Sequence, residues 1–147
     1  MGRSTLTASA RRRGVAVIVR VPLASGLLTG KMTAGTAFAP DDHRAFNRQG
    51  EEFDRGETFA GVPYDLALEG VEEIRALVPG GQGMAPFALR WILMEEAVST
   101  VIPGAKTAAQ ARTNAGASDL SPIPAETMAA LREIYRIRVA PHVHQLW

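Results

Sequence analysis

Two short β-branched stretches stand out from a chain whose other apolar positions recur at helical spacing. Residues 15–19, Val-Ala-Val-Ile-Val, carry no polar alternation, which is the pattern of a strand buried on both faces of a parallel sheet. Pro22 ends it. The second strand runs over Val98–Ile102, with Val98, Val101 and Ile102 β-branched, and breaks on Pro103-Gly104. Ahead of the first strand, Thr5–Arg13 predicts a short helix with Leu6 and Ala10 four apart. Its last turn is cationic at Arg11, Arg12 and Arg13, and Gly14 closes it. Leu66, Leu68, Val71, Ile74, Leu77 and Val78 recur near helical spacing until the Pro79-Gly80-Gly81-Gln82-Gly83 break. Residues 84–94 predict a further helix with Pro86 in its first turn, apolar almost all round through Phe87, Leu89, Trp91, Ile92 and Leu93. Such a helix must be covered. Helices over 108–117 and, past Pro122 and Pro124, over 125–139 complete the pattern. Residues 24–63 are rich in glycine and polar side chains and predict a long irregular excursion, the kind that in a compact domain tends to be functional or mobile.

The resulting order, helix, strand, long loop, helix, helix, strand, helix, helix, is the βαβα unit of a (β/α)8 barrel or a doubly wound sheet. Two buried parallel strands cannot cover their own faces and edges. The expected fold class is therefore α/β, a partial (β/α)8 TIM barrel comprising the last two βα units plus the C-terminal helix, since a complete barrel needs about 250 residues. Such a piece exposes apolar strand and helix faces, so the isolated chain is expected to be oligomeric, aggregation-prone or molten.

Bulk properties narrow the partners. The chain has 147 residues, 46% hydrophobic and 21% charged, a soluble globular composition of one domain's size. Sixteen Lys and Arg against fifteen Asp and Glu leave a net charge of +1, so the overall field selects neither nucleic acid nor an anionic membrane. Any basic site must be local. Without cysteine there is no disulfide framework and no thiolate metal site. The longest apolar run is too short to span a bilayer. The basic, Ser/Thr-containing start has no secretory apolar core behind it, and the expected compartment is the cytoplasm.

The most specific chemistry lies at 98–114. A buried strand runs through Pro103-Gly104 into a helix that Thr107 can cap, and the first-turn N–H groups and positive dipole end of such a helix form an anion site. Lys106, one residue before the cap, adds a full positive charge. Gln110 and Asn114 are four apart on one helix face, where an amide pair can read the polar edge of a base.

This stretch resembles the second half of the coenzyme site of the aldo-keto reductase family, in which a strand ending Ile-Pro-Gly precedes a basic residue and Gln and Asn at helical spacing. The matching residues here are Ile102, Pro103, Gly104, Lys106, Gln110 and Asn114. A second block, residues 14–31, is similar to the family's preceding barrel strand and loop. Residues 1–147 are thus expected to be the C-terminal part of such a barrel. The resemblance implies an NADP(H) site in which Gly104 lets the backbone approach the adenosine-side phosphate and Lys106 pairs with it. By the same resemblance Gln110 and Asn114 contact phosphate and adenine. Pro22, Leu23, Ser25, Gly26 and Lys31 then fall where the family's loop passes over the pyrophosphate and nicotinamide ribose. A basic residue at 106 favours the 2′-phosphorylated coenzyme over NAD, although Lys lacks the bidentate fork of the Arg found in many relatives. Arg20 stands where many relatives carry an aromatic residue that stacks on nicotinamide.

No catalytic residue is assigned. The family's Asp, Tyr, Lys and His lie on earlier barrel strands that have no counterpart in this sequence, and Tyr64, Tyr135, His43, His142 and His144 are not at the C-terminal end of either strand. The tyrosines read as packing residues, and His142-Val143-His144 lacks a third metal ligand. The reading is the coenzyme-binding part of an NADP(H)-dependent oxidoreductase, inactive alone, whose partners are a nicotinamide coenzyme and an N-terminal barrel half or a second copy. The alternatives are a non-catalytic NADPH-binding module and an unrelated small α/β interaction domain.

Overall fold

The computed structural model describes residues 5–146; residues 1–4 of the basic start, Trp147, and the side chain of Leu6, expected to face Ala10's side of the first helix, lie outside the described residues. In chain order the elements are α1 (Thr5–Arg13), β1 (Val17–Arg20), α2 (His43–Phe46), α3 (Tyr64–Arg75), α4 (Met84–Leu93), β2 (Val98–Ile102), α5 (Ala108–Ala115), α6 (Ala125–Ile134) and α7 (Ala140–Val143), with 3-10 turns between them. They fall into two units, Met1–Pro22 with Ala85–Ile123, and Leu23–Met84 with Pro124–Trp147.

In the first unit β1 and β2 pair in parallel, Val17 with Val98, Ile18 with Thr100, Val19 with Val101 and Arg20 with Ile102, around a bulge between Val17 and Ile18. The first strand therefore sits two residues later than the apolar run at 15–19 predicts. Helix termination explains the shift. Gly14 takes φ 64, its N–H donates to the Arg11 carbonyl at 3.3 Å, and the Val15 N–H donates to the Ala10 carbonyl at 2.9 Å, which is the Schellman arrangement. Val15 is consumed in closing α1, and Val17 turns its own N–H to the Ser99 hydroxyl at 3.3 Å. The expected burial on both strand faces is not met within this chain. Val17, Val19, Val98 and Val101 are half-buried, whereas Ile18, Arg20, Thr100 and Ile102 are open, Ile18 at 61% and Ile102 at 58% exposure. Helix α4 is covered only in part, with Phe87, Ala88 and Leu89 buried and Trp91, Ile92 and Leu93 half-buried. Arg11 forms an ion pair with Glu96. Helix α5 ends at Ala115 rather than 117 and tightens into a 3-10 turn over Gly116–Asp119, where the Ser118 hydroxyl donates to the Ala115 carbonyl at 3.0 Å.

The second unit is built on Leu27, Phe59, Val71 and Met84, with Leu28, Met32, Phe38, Tyr64, Leu68 and Ile74 packed against them. The excursion at 24–63 is irregular, as expected, yet highly bonded. Its hub is Asn47, fully buried beside Thr58. The Asn47 Oδ1 accepts the N–H groups of Glu52 at 3.0 Å and Phe53 at 2.7 Å, while Nδ2 donates to Thr58 Oγ1 at 3.1 Å and the Asp54 carbonyl at 3.5 Å. One side chain thus satisfies a loop that has no ladder of its own.

The last helix, expected as one α segment over 125–139, is α-helical to Ile134 and then widens into a single π turn over Tyr135–Val139, where the Ala140 N–H reaches back to the Tyr135 carbonyl. Pro141 accounts for it. A proline there has no N–H for the fourth residue back and clashes with that carbonyl, and a wider turn relieves both. Arg138, inside this turn, grips α3 through Glu73, with Nε and NH2 donating to Oε1 at 2.9 and 2.6 Å, and through Glu69 at 2.6 Å.

Replacing Asn47 with Ala is expected to destabilise the protein by about 2–4 kcal/mol, because a fully buried amide is lost together with its four hydrogen bonds, and Thr58 Oγ1 is left buried without its donor. Chemical denaturation of the variant checks this, and a loss below about 1 kcal/mol would remove Asn47 as the hub.

Candidate functional site

The chain leaves β1 after Arg20 and β2 after Ile102, and these two residues are register partners in a parallel pair. Both exits therefore lie at the same, carboxyl end of the ladder, the end at which α/β folds place their ligands.

After β2 the segment 103–107 is shaped by the helix it feeds. Thr107 has the extended backbone of an N-cap, φ −136 and ψ 155, and its hydroxyl accepts the Gln110 N–H at 3.1 Å. Gln110 reaches back, its Oε1 accepting the Lys106 N–H at 2.7 Å. Asn114 extends the brace one turn further, Nδ2 donating to the Gly104 carbonyl at 3.3 Å. This is a capping box displaced by one residue. The signal was present as Thr-x-x-Gln at 107–110. Gly104, Lys106, Gln110 and Asn114 are thus brought into one hydrogen-bonded loop and helix start. The N–H groups of Ala108 and Ala109 have no intrahelical acceptor, as at any helix start, and the Lys106 ammonium makes no ion pair among the described residues.

Gly104 tests whether an anionic ligand fits. Its φ is outside the left-handed region, and a Cβ built on it would meet nothing within 4 Å. Neither backbone conformation nor crowding within the protein requires glycine there. A bare backbone facing open space beside an unpaired lysine and a helix start suits a phosphate.

After β1 the backbone turns sharply. Val21, Ala24 and Ser25 hold left-handed φ values of 49, 48 and 56, followed by Gly26 at 97; each non-glycine case costs about 1–3 kcal/mol unless neighbours enforce it. Within the second unit the enforcement is visible. The Leu23 carbonyl accepts the N–H groups of Gly26 at 3.0 Å and Leu28 at 3.2 Å. The Ser25 hydroxyl donates to the Glu57 carbonyl and accepts the Phe59 N–H, both at 3.3 Å, with His43 Nε2 3.4 Å away. Arg44 donates to the Ser25 carbonyl at 3.3 Å while doubly bonded to Asp42 at 2.9 and 2.5 Å. Those bonds hold the Asp42 carboxyl well below the usual carboxylate range and raise the Arg44 guanidinium further. Gly26 and Gly30 are favoured by their left-handed backbone, φ 97 and 70; a Cβ would meet only movable methionine ends, Met32 Cε at 2.9 Å and Met84 Sδ at 2.6 Å.

Leu23, Ser25 and Gly26 are therefore in one bonded turn, with Pro22 buried just ahead of it. The Gly26 N–H is engaged inside the turn, and the Ser25 hydroxyl by the backbone at Glu57 and Phe59. Lys31 is exposed beyond it, with no ion pair among the described residues. His43, Arg44 and Asn47, which hold this region, carried no recognisable signal, because their partners are distant in sequence. Tyr64 packs its ring 4.9 Å from that of Phe59 and donates to the Thr33 carbonyl at 2.9 Å, and Tyr135 lies 3.3 Å from His144 Nδ1. Among the described residues no helix is long and apolar enough to cross a membrane.

Residues 3–136 match the model of the aldo/keto reductase family. An L-glyceraldehyde 3-phosphate reductase of Escherichia coli O157:H7 is 35% identical over 133 residues, covering 88% of this chain and 36% of the relative. Aldo-keto reductase str7 of Strobilurus tenacellus is 30% identical over 129 residues, again covering 88% of this chain and 36% of its own length. Among solved structures, the glycerol dehydrogenase AKR11B4 from Gluconobacter oxydans superposes with a TM-score of 0.71 at 25% identity, covering 95% of this chain and 38% of that one. The holo form of the aldo-keto reductase AKR11C1 from Bacillus halodurans gives 0.57 at 22% identity, covering 87% and 36%. The chain thus spans a little over a third of the length of these proteins.

Replacing Thr107 with Ala is expected to cost about 1 kcal/mol at the start of α5, read as amide hydrogen exchange about fivefold faster at Gln110. Unchanged exchange at Gln110 and Lys106 would refute the reciprocal cap.

Proposed function

This chain belongs to the aldo/keto reductase family, and on that premise we propose that it is the coenzyme-binding part of an NADP(H)-dependent oxidoreductase, contributing the last two βα units and the C-terminal helix of the barrel. The family binds nicotinamide coenzyme, which supplies the hydride when bound. The observation that carries the NADP(H) reading is the unpaired Lys106 beside the open face of Gly104 and the start of α5. In this reading Lys106 neutralises the 2′-phosphate, the bare backbone at Gly104 lets the phosphate approach, and Gln110 and Asn114 keep the loop in the shape that receives it while presenting their remaining amide groups to phosphate and adenine. The turn at Pro22, Leu23, Ser25 and Gly26 passes over the pyrophosphate and ribose, with Lys31 as a counter-charge. Rigidity in that turn favours binding because less freedom is lost when the ligand arrives.

The chemistry of hydride transfer to a carbonyl also requires a proton donor for the developing oxyanion. Neither tyrosine of this chain is free for that: the Tyr64 hydroxyl donates its hydrogen bond to the Thr33 carbonyl, and Tyr135 pairs with His144. The acid and its activating groups belong, in this reading, to an N-terminal barrel half, which also covers the open face of Ile18 and Ile102. A carbonyl compound of small, hydroxylated type is the proposed substrate class of the completed enzyme, as the names of the relatives suggest.

Replacing Lys106 with Ala is expected to weaken NADPH binding by roughly 1–3 kcal/mol, the range of a hydrogen bond to a charged group, and to leave NADH nearly unchanged. Calorimetric titration of both coenzymes decides, and equal losses would defeat the assignment. The purified 147-residue chain is further expected to show no measurable aldehyde-dependent NADPH oxidation. Steady oxidation abolished by Tyr64→Phe or Tyr135→Phe would show that the proton donor is here after all.

A further inference from the structure

Three arginines of the second unit are half-buried: Arg44, Arg48 and Arg138. Two are neutralised by carboxylates, Arg44 by Asp42 and Arg138 by Glu69 and Glu73. Arg48 has no carboxylate partner among the described residues. Its Nε donates to the Arg44 carbonyl at 3.3 Å, and its guanidinium carbon lies 4.8 Å from the ring centre of Tyr64, 5.6 Å from Phe38 and 6.0 Å from Phe59. The rings are themselves fixed, Tyr64 by its bond to the Thr33 carbonyl and Phe38 by tilted and edge contacts with Phe59 and Tyr64. The preceding residue, Asn47, is the buried hub of the excursion.

A guanidinium partly withdrawn from water and left without a counter-charge keeps a desolvation cost that its two neighbours have offset. Stacking on aromatic faces recovers part of it. With only Nε hydrogen-bonded, the two terminal amino groups of the guanidinium have no partner among the described residues and are not sealed from solvent, which leaves them for ligands. They form the fork that matches two oxygens of a phosphate or carboxylate, and here it is pre-oriented by three rings and one backbone bond. We infer that Arg48 is an oxyanion-binding residue, receiving the phosphate or carboxylate of a small-molecule ligand on an aromatic platform. This stands apart from the coenzyme reading, since it is argued from Arg48 and its neighbours alone.

The test uses the intact, isotopically labelled chain and follows, while inorganic phosphate is added at constant ionic strength, the Arg48 Nε–H resonance in the wild type and, in every variant, the Tyr64 ring and Arg44 backbone amide resonances beside it. A saturable shift is expected. It should be lost in Arg48→Met, whose unbranched side chain still covers the rings, and weakened about tenfold in Arg48→Lys, which keeps the charge without the fork. NADPH and glycerol 3-phosphate, added as competitors, separate the two sources of phosphate: displacement by NADPH assigns the anion to the coenzyme, and displacement by glycerol 3-phosphate alone assigns it to a phosphorylated substrate. A shift that does not saturate, an Arg48→Lys titration equal to the wild type, or no shift at Arg48 would overturn the inference. The lysine variant decides the matter should the methionine variant fail to fold, and failure of either leaves the Lys106 titrations to be judged separately.

Discussion

The parallel pairing of β1 with β2 is the constraint on which the rest of the chain depends. Antiparallel strands can be closed by two residues, but parallel ones require the chain to travel back the full length of the sheet before re-entering it. Here that return runs from Arg20 to Val98 and includes the excursion, α3 and α4. The register Arg20 with Ile102 then puts both strand exits at one end. A one-residue slip would exchange the half-buried valines for the open isoleucines, and would carry the start of the 103–107 loop with it. The register is held by the bulge at Val17 and by the Ser99 hydroxyl as well as by side-chain burial.

What was legible in the sequence is what local rules govern. The two strands, the helix starts, the glycine stop of α1 and the Pro103-Gly104 break follow from residues within a few positions of one another, and so does the brace of Thr107 and Gln110, spaced three apart. The strand at 15–19 moved because a local rule of higher priority, the closing of α1 over Val15, competed with the β-branched pattern. The π turn was hidden in a sequence whose proline lies past the expected end of the helix. Nothing local announces that Asn47 will bond at 52, 53, 54 and 58, that Arg48 will stack across to Tyr64, or that Ser25 will bind the backbone at Glu57 and Phe59. Those contacts exist only after the excursion folds on itself.

The excursion and the turn after β1 depend on each other. Ala24 and Ser25 on one side, and Phe59 and Ala60 on the other, all hold left-handed backbone without being glycine. Local propensity opposes both segments, and one hydroxyl joins them, that of Ser25. Neither conformation would persist alone at such a cost, so order in one is conditional on order in the other. Arg44 adds a second tie from the same turn. A loop so constrained is set before any ligand reaches it.

Gly104 has a different meaning for anyone who would alter this chain. Its backbone does not require glycine, and its missing side chain would strike nothing. By the logic of chain entropy, alanine there should make the protein slightly sturdier, by about 0.4–1 kcal/mol. A screen that rewards heat resistance would therefore accept this exchange early, and nothing in the folded chain by itself would register a loss. The methyl group would stand in open space. Position 104 is thus one where the folded chain by itself places no demand for glycine, so stability alone is blind to what that residue does.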